Sequence, residues 1–280
     1  MMNFNVENTI RRRKSVRSYE KRPLSDADRD AVLSLIDELY AEDTPFPAKI
    51  QMRLLEAKTG TGTEKLGTYG VIRGATAFIG VTVKNTEAAM EAVGYTFEKF
   101  VLAATDMGLG TCWLAGTFKR EQFEGALQLA EDDIFPIVCP IGYPLEKQTL
   151  VNSVFRTMSK SDQRKEWGEL FFDNEFGQPL PKEQAGDYEF PLEMLRLAPS
   201  AANRQPWRVV RRDSAFHFYR EANPKSKYPY DLQRLDVGIG ACHFHLAATE
   251  RLLAGGFSRL SDPGISVPEN MKYLFSWQTK

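Results

Sequence analysis

The chain has 280 residues, of which 42% are hydrophobic and 26% are charged, and its formal net charge is -1 at pH 7. This length and composition are typical of a globular protein with one large domain or two smaller ones. Proteins that bind long nucleic acids usually carry a marked basic excess, so no nucleic-acid partner is expected. The longest apolar stretch, 71–83, is too short to span a bilayer and contains Arg73, which excludes a membrane role for it.

The cysteines and the amino terminus indicate the compartment. Cys112, Cys139 and Cys242 lie in apolar stretches and form no CxxC pair, which is typical of buried thiols in a reducing environment. The first residues, MMNFNVENTI, contain no apolar signal core. We therefore expect a cytoplasmic protein.

Hydrophobic periodicity predicts alternating helices and strands along the chain. In the first part we expect helices at 6–12, from Ser25 onward, at 86–109 and at 121–129, with strands at 50–55, 76–83 and 134–141 and a mobile loop at 58–68. A helix and an extended arm are predicted over 161–172. In the second part we expect a helix ending near Leu197, strands at 207–211 and 215–219, a loop at 223–230, and a long apolar helix at 232–254.

The two long helices resemble each other. Val93, Gly94, Phe100, Leu102, Ala103, Ala104 and Thr105 recur 144 residues later as Val237, Gly238, Phe244, Leu246, Ala247, Ala248 and Thr249. Helices built from few apolar residue types also match by chance. If the repeat is genuine, it predicts two related modules whose long helices pack about a pseudo-two-fold axis.

A basic motif, RRRKSVRSY, begins at Arg11. Arginine forks and the Ser15 hydroxyl suit a dianionic phosphate. A solvated basic helix end is the plainer interpretation, and a nucleic-acid patch is the third, which the overall charge disfavours.

A second motif, PSAANRQPW, spans 199–207. Pro199 ends a helix, and the small residues that follow allow a planar ligand to approach the backbone. Asn203 and Gln205 offer paired amide donors and acceptors. As a bare pattern it equally fits an ordinary connection between a helix and a strand.

Other catalytic and metal-binding patterns are weaker. His217, His243 and His245 have no second group of ligands, so no metal site is predicted. The segments GLG at 108–110 and GIG at 238–240 do not complete a dinucleotide-binding fingerprint. The sequence contains neither a GxSxG elbow nor a P-loop.

The sequence APSAANRQPWRVV resembles the signature of the nitroreductase family of flavin enzymes. The segment around RRRKSVRSY resembles the amino-terminal phosphate motif of that family. Further landmarks follow in the family's order: GLGTCWLAG at 108–116, GYP at 142–144 and RKEWGELFF at 164–172. Together these resemblances cover most of the chain.

The resemblance implies an α+β, nitroreductase-like fold with central β-sheets flanked by helices. Members are typically homodimers that bind flavin mononucleotide (FMN) at the dimer interface. Carried over by position, the phosphate and ribityl chain would be held by Arg13, Lys14, Ser15, Arg17 and Arg164. The flavin ring would be lined by Trp113, Leu114, Ala115 and Gly116, and covered by Pro199, Ser200, Ala201 and Asn203, with Gln205 in a structural role.

The family motifs are divided between the two parts of the chain. The first part lacks PSxxNxQPW after its second helix, and the second lacks RxSxR and shows only AGGFS at 254–258 where GLGTCW is expected. We therefore expect a monomeric intrachain pseudo-dimer with one retained and one decayed flavin site. Its modules would be 1–172, including a carboxy-terminal arm, and 173–280, packed as one unit.

The implied activity is FMN-dependent reduction of a small electrophilic acceptor, of nitroaromatic or quinone type. NADH or NADPH would first reduce the flavin and leave, which predicts ping-pong kinetics. Backbone amides at 114–116 would stabilise negative charge on the ring, and no side-chain general acid is assigned. Two alternatives stay open: a noncatalytic scaffold that keeps only the fold, and a flavin enzyme of different chemistry.

Overall fold

The computed structural model describes residues 4–56, 67–127, 129–145, 163–222, 228 and 230–280. The predicted loops at 58–68 and 223–230 fall largely outside these residues, as does the start of the helix and extended arm predicted over 161–172. The chain divides into two compact units. Unit 1 comprises Met1–Phe4, Arg12–Ala89 and Lys99–Ser159, and unit 2 comprises Asn5–Arg11, Met90–Glu98 and Lys160–Lys280.

Unit 1 is built around a four-stranded antiparallel sheet with the order β1-β2-β4-β3. Helix α2 begins after Ser25, whose hydroxyl accepts the Asp28 N–H at 3.1 Å, as its sequence predicts. Strand β2 is buried along almost its whole length, as a central strand covered on both faces should be. The elements are α1 (Val6–Arg12), which lies mainly in unit 2, α2 (Asp26–Ala41), β1 (Ile50–Glu56), β2 (Ala77–Lys84), α3 (Ala89–Asp106), β3 (Gly110–Thr111), α4 (Arg120–Leu127) and β4 (Asp133–Gly142).

Unit 2 is built around a five-stranded sheet with the order β5-β6-β7-β9-β8. Strand β5 pairs parallel with β6, and the remaining pairs are antiparallel. The predicted extended arm therefore contributes an edge strand of this sheet. The elements are α5 (Trp167–Leu170), β5 (Phe171–Asp173), a 3-10 helix (Lys182–Tyr188), α6 (Glu189–Arg196), a 3-10 turn (Ala201–Asn203), β6 (Trp207–Arg212), β7 (Ala215–Glu221), α7 (Leu232–Glu250), β8 (Gly255–Ser258) and β9 (Met271–Thr279).

The two sheets repeat one topology. The orders β1-β2-β4-β3 and β6-β7-β9-β8 correspond strand by strand. A long helix lies at the same point of each set in sequence, α3 between β2 and β3 and α7 between β7 and β8. The segments GLGTCW and AGGFS both follow that helix, and each contains a short strand paired with the last strand of its sheet. The α+β class with two sheets is therefore confirmed.

Two glycines lie at a close helix crossing within unit 2. Residues 90–98 of α3 belong to this unit and pack against α7. A Cβ atom on Gly94 would lie 2.1 Å from the Leu235 carbonyl oxygen, and one on Gly238 would lie 2.4 Å from that of Glu91. The two glycines are the pair related by the 144-residue offset. Segments that repeat in sequence therefore pack against each other here.

None of the described helices combines the length and apolar character that crossing a bilayer requires. The three cysteines are buried and free.

Candidate functional site

In unit 1 the basic motif lies alongside β3. The Val16 N–H donates to the Thr111 carbonyl at 2.8 Å, and Ser15 forms a parallel bridge with Thr111. A Cβ atom at Gly110 would lie 2.9 Å from the Val16 side chain, so this close approach requires glycine. The structure therefore brings the RxSxR motif and the GLGTCW motif together.

Two cationic side chains of the motif, Arg13 and Arg17, lie close enough to the Cys112 thiol to act on it. Burial raises the pKa of Cys112. The positive charges of Arg17 and Arg13 and a hydrogen bond from Ser15 oppose this rise. The Arg13 Nε is buried and makes no hydrogen bond to any described residue. Buried donors normally have acceptors, so this guanidinium fits an anionic ligand. Lys14 is exposed.

The segment predicted to line a ring follows directly. Leu114 exchanges two backbone hydrogen bonds with Val138, both at 3.0 Å, and its side chain belongs to the buried core of unit 1. The expectation that the Leu114 amide stabilises charge on a ligand is therefore wrong, because its N–H is already donated. Trp113 and Ala115 are half-buried and Gly116 is exposed, so these three remain accessible for that role.

In unit 2 the PSAANRQPW segment forms a tight loop with unusual backbone geometry. Ala202, Asn203 and Gln205 have φ angles of 50°, 53° and 50°, a region that residues with a Cβ atom rarely adopt. The Ser200 hydroxyl accepts the Gln205 N–H at 2.8 Å across the loop. Ala201 and Ala202 are exposed at its tip, which leaves the backbone there open to a flat ligand.

The arm at 163–165 fastens this loop from one side. Arg164 donates through Nη1 to the Asn203 Oδ1 at 3.4 Å and through Nη2 to the Leu197 carbonyl at 3.0 Å. The Lys165 N–H donates to the Gln205 Oε1 at 2.8 Å. Arg164 thus braces the loop in this structure, and a contact with phosphate stays a prediction. The Gln205 side chain is engaged inside the loop, which agrees with a structural role.

Sequence reasoning missed Asp236, which lies near the start of α7. Both of its carboxylate oxygens accept the Ala201 N–H, at 3.0 and 3.2 Å, and the residue is only 3% exposed. Burial raises the pKa of Asp236 to about 8. An aspartate flanked by Leu235 and Val237, at the start of the apolar stretch of a helix, is the signal that could have identified it.

The predicted site residues therefore form two groups. Unit 1 carries the phosphate-motif and ring-lining residues, and unit 2 carries the loop residues together with Arg164. The first group is Arg13, Lys14, Ser15, Arg17, Trp113, Leu114, Ala115 and Gly116; the second is Arg164, Pro199, Ser200, Ala201 and Asn203.

The histidines contact protein groups. His243 lies between the Met194 carbonyl at 3.0 Å and the Glu98 carboxylate at 2.9 Å, and both members of the pair are fully buried. His217 hydrogen-bonds Ser276, and His245 hydrogen-bonds Tyr95. Among the described residues, no group of His, Cys, Asp or Glu side chains has the arrangement of a metal site.

Comparisons with solved structures identify the fold. A crystal structure of a "putative nitroreductase" from Thermotoga maritima is 18% identical, covers 100% of this chain and 95% of its own, and has a TM-score of 0.59. A nitroreductase with bound FMN from Bacteroides fragilis is 20% identical over 53% of this chain and 92% of its own, with a TM-score of 0.41. A "putative NADH dehydrogenase/NAD(P)H nitroreductase" from Parabacteroides distasonis is 24% identical over 51% of this chain and 89% of its own, with a TM-score of 0.39.

No curated protein matches the chain. The profile of the family described as "Putative TM nitroreductase" matches residues 5–248, which is most of the sequence. The fold of the Thermotoga maritima structure extends over the whole chain and agrees with the two-sheet architecture. The chain therefore belongs to this nitroreductase family.

Proposed function

We propose that the protein is an FMN-dependent oxidoreductase that uses NADH or NADPH to reduce a small electrophilic acceptor of nitroaromatic or quinone type. The observation that carries this proposal is the basic motif held against β3, with the buried Arg13 Nε lacking an acceptor among the described residues. A phosphate group would supply that acceptor. Family membership supports the flavin as the ligand to which the phosphate belongs.

The residues carried over from the family motifs would hold the flavin. Arg13, Lys14, Ser15 and Arg17 would hold the phosphate, and Arg164 would reach the ribityl chain while bracing the loop. Trp113, Leu114, Ala115 and Gly116 would line the ring, with Leu114 contributing backbone only. Pro199, Ser200, Ala201 and Asn203 would cover the ring. This assignment rests on correspondence with the family motifs.

The bound flavin would supply the hydride chemistry, and the protein would supply position and charge. Guanidinium groups at Arg13 and Arg17 would fix the phosphate by charge-assisted hydrogen bonds. The N–H groups of Ala115 and Gly116 would stabilise negative charge at the ring edge. The exposed small residues Ala201 and Ala202 would leave room for donor and acceptor to bind by turns, which gives ping-pong kinetics.

We propose further that the chain is an internally duplicated monomer, with modules 1–172 and 173–280 and one flavin site. The repeated strand order and the equivalent glycines at the crossing of α3 and α7 support the duplication. Three buried free thiols support the cytoplasm as its compartment.

The first experiment identifies the bound ligand. Purified protein should be yellow and should release stoichiometric FMN on denaturation, as measured by absorbance and chromatography. Without an acceptor present, NADH or NADPH should bleach the absorbance of the flavin, and addition of a quinone should restore that absorbance. A colourless protein that does not take up added FMN would contradict the proposal and favour a noncatalytic scaffold.

A second experiment tests the phosphate assignment. The double substitution Arg13→Ala and Arg17→Ala should lower FMN affinity by at least about 100-fold, because two charge-assisted contacts are lost. Arg11→Ala is the matched control, since Arg11 is an exposed arginine of the same cluster that pairs with Glu7. Equal FMN affinity in the double variant and in the control would refute the assignment.

A further inference from the structure

The loop at 200–205 has a backbone conformation that its own residues do not favour. Ala202, Asn203 and Gln205 all have positive φ, and Ala202 has no polar side chain with which to stabilise that conformation locally. Clusters of such residues persist only where surrounding groups hold them, and they concentrate at functional sites. The groups that hold this loop are therefore part of how the site works.

Asp236 holds the loop from the protein interior. The Ala201 N–H, at the start of the left-handed run, lies 3.0 and 3.2 Å from the two Asp236 carboxylate oxygens. Asp236 is buried on α7 between the core residues Leu235 and Val237, so it cannot follow the loop outward. The exposed tip is thus tied to a rigid helix by this contact.

We propose that Asp236 is a positioning residue that holds the Ser200–Gln205 loop in the conformation required to cover the flavin ring. The part that concerns flavin rests on the proposed function. The part that concerns the loop rests on the Ala201 contact alone and is tested without flavin.

The same geometry makes the loop sensitive to pH. Burial raises the pKa of Asp236 to about 8; the Ala201 N–H opposes this rise, Asp231 adds to it, and Arg204 opposes it. Burial outweighs the hydrogen bond, so any opening that hydrates the carboxylate lowers its pKa. Ionisation then favours the open loop, and opening should increase as the pH rises from 7 to 9.

The test compares Asp236→Asn with Asp236→Leu in flavin-free protein. Asn keeps an acceptor for the Ala201 N–H and mimics the protonated acid, whereas Leu removes the acceptor. Arg204 is exposed within the loop, so trypsin cleavage of the Arg204–Gln205 bond reports opening. Cleavage after the exposed Lys21 in the same chain provides the reference for the pH dependence of trypsin itself.

We expect Asp236→Leu to raise the rate of cleavage at Arg204, relative to that at Lys21, about tenfold and to weaken FMN binding by a similar factor. Asp236→Asn should restore both values. Wild-type cleavage should rise between pH 7 and 9, and that of Asp236→Asn should stay flat. If Asp236→Leu fails to fold, this pair of pH profiles still decides the matter.

Three results would overturn the inference. The first is an Asp236→Leu variant whose cleavage at Arg204 and FMN affinity equal those of the wild type. The others are an Asp236→Asn variant that behaves like Asp236→Leu, and identical pH profiles of cleavage in the wild type and Asp236→Asn. Faster cleavage in Asp236→Leu with no FMN binding by the wild type would refute the flavin assignment while supporting the anchoring of the loop.

Discussion

Gly238→Ala tests whether the crossing of α3 and α7 depends on the absence of a side chain. The added Cβ would lie 2.4 Å from the Glu91 carbonyl oxygen and 3.0 Å from the Glu91 Cα. Ordinary contact begins near 3.4 Å, so the helices must separate by about 1 Å. Both atoms belong to the backbone and cannot rotate away.

The expected loss of stability combines two opposing effects. Overpacking of this kind costs about 1–3 kcal/mol, and separation of the helices would also stretch the 2.7 Å Arg234–Glu91 ion pair. Replacing glycine with alanine inside a helix contributes up to about 1 kcal/mol in the opposite direction. We expect Gly238→Ala to lower the free energy of unfolding by about 2 kcal/mol.

Gly240→Ala is the matched control on the same helix. The atoms nearest to its Cβ would be side-chain atoms of Leu195 and Trp207, at 3.4 Å and beyond. This variant should therefore gain up to about 1 kcal/mol from helix propensity. Urea unfolding followed by circular dichroism measures both variants against the wild type. If Gly238→Ala is as stable as Gly240→Ala, the close-packed crossing is refuted.

Two further predictions concern residues of unit 2. Glu98→Met or His243→Leu alone should cost about 3–5 kcal/mol, because each deprives the other buried polar side chain of this hydrogen bond. The double variant Glu98→Met with His243→Leu should cost less than the sum of the two single losses, and additive losses in this double-mutant cycle would contradict the pairing. Asn203→Gly removes the side chain but still favours the left-handed backbone at φ 53°, whereas Asn203→Ala removes the side chain and also disfavours that backbone conformation. In a titration, the Ala variant should therefore bind FMN more weakly than the Gly variant by about 1 kcal/mol. Equal affinities of the two variants would show that the backbone conformation is unimportant.

The sequence was informative wherever local patterning decides the structure. The Ser25 cap, the strand at 50–56 and the long helices followed from capping and periodicity. The short strands β3 and β8 were not predicted, and β5 was expected only as an extended arm, because such brief segments are defined by pairing with distant partners. Strand β9 was also missed, although MKYLFSWQT has the composition of a strand.

The site residues show the same division. The phosphate and loop motifs were found because they resemble a family pattern of fixed spacing. Asp236 was missed because its role depends on a contact with Ala201, 35 residues away. Arg164 was assigned to phosphate from its position, and only the structure places its guanidinium against Asn203 and Leu197. Roles set by tertiary contacts cannot be read from local sequence.

The repeated topology explains in backbone terms why, among the described residues, only the second of two corresponding connections forms a loop of this kind. The connection from α6 to β6 corresponds to the connection from α2 to β1, which spans 42–49. Pro45 and Pro47 fix negative φ there, and none of these described residues has a positive φ. Proline and the residue before it both disfavour the left-handed region, so the first connection is poorly suited to the left-handed run of the second. Restoring Ser, Ala and Asn side chains alone should therefore not recreate a covering loop in unit 1, because Pro45 and Pro47 still restrict the backbone there.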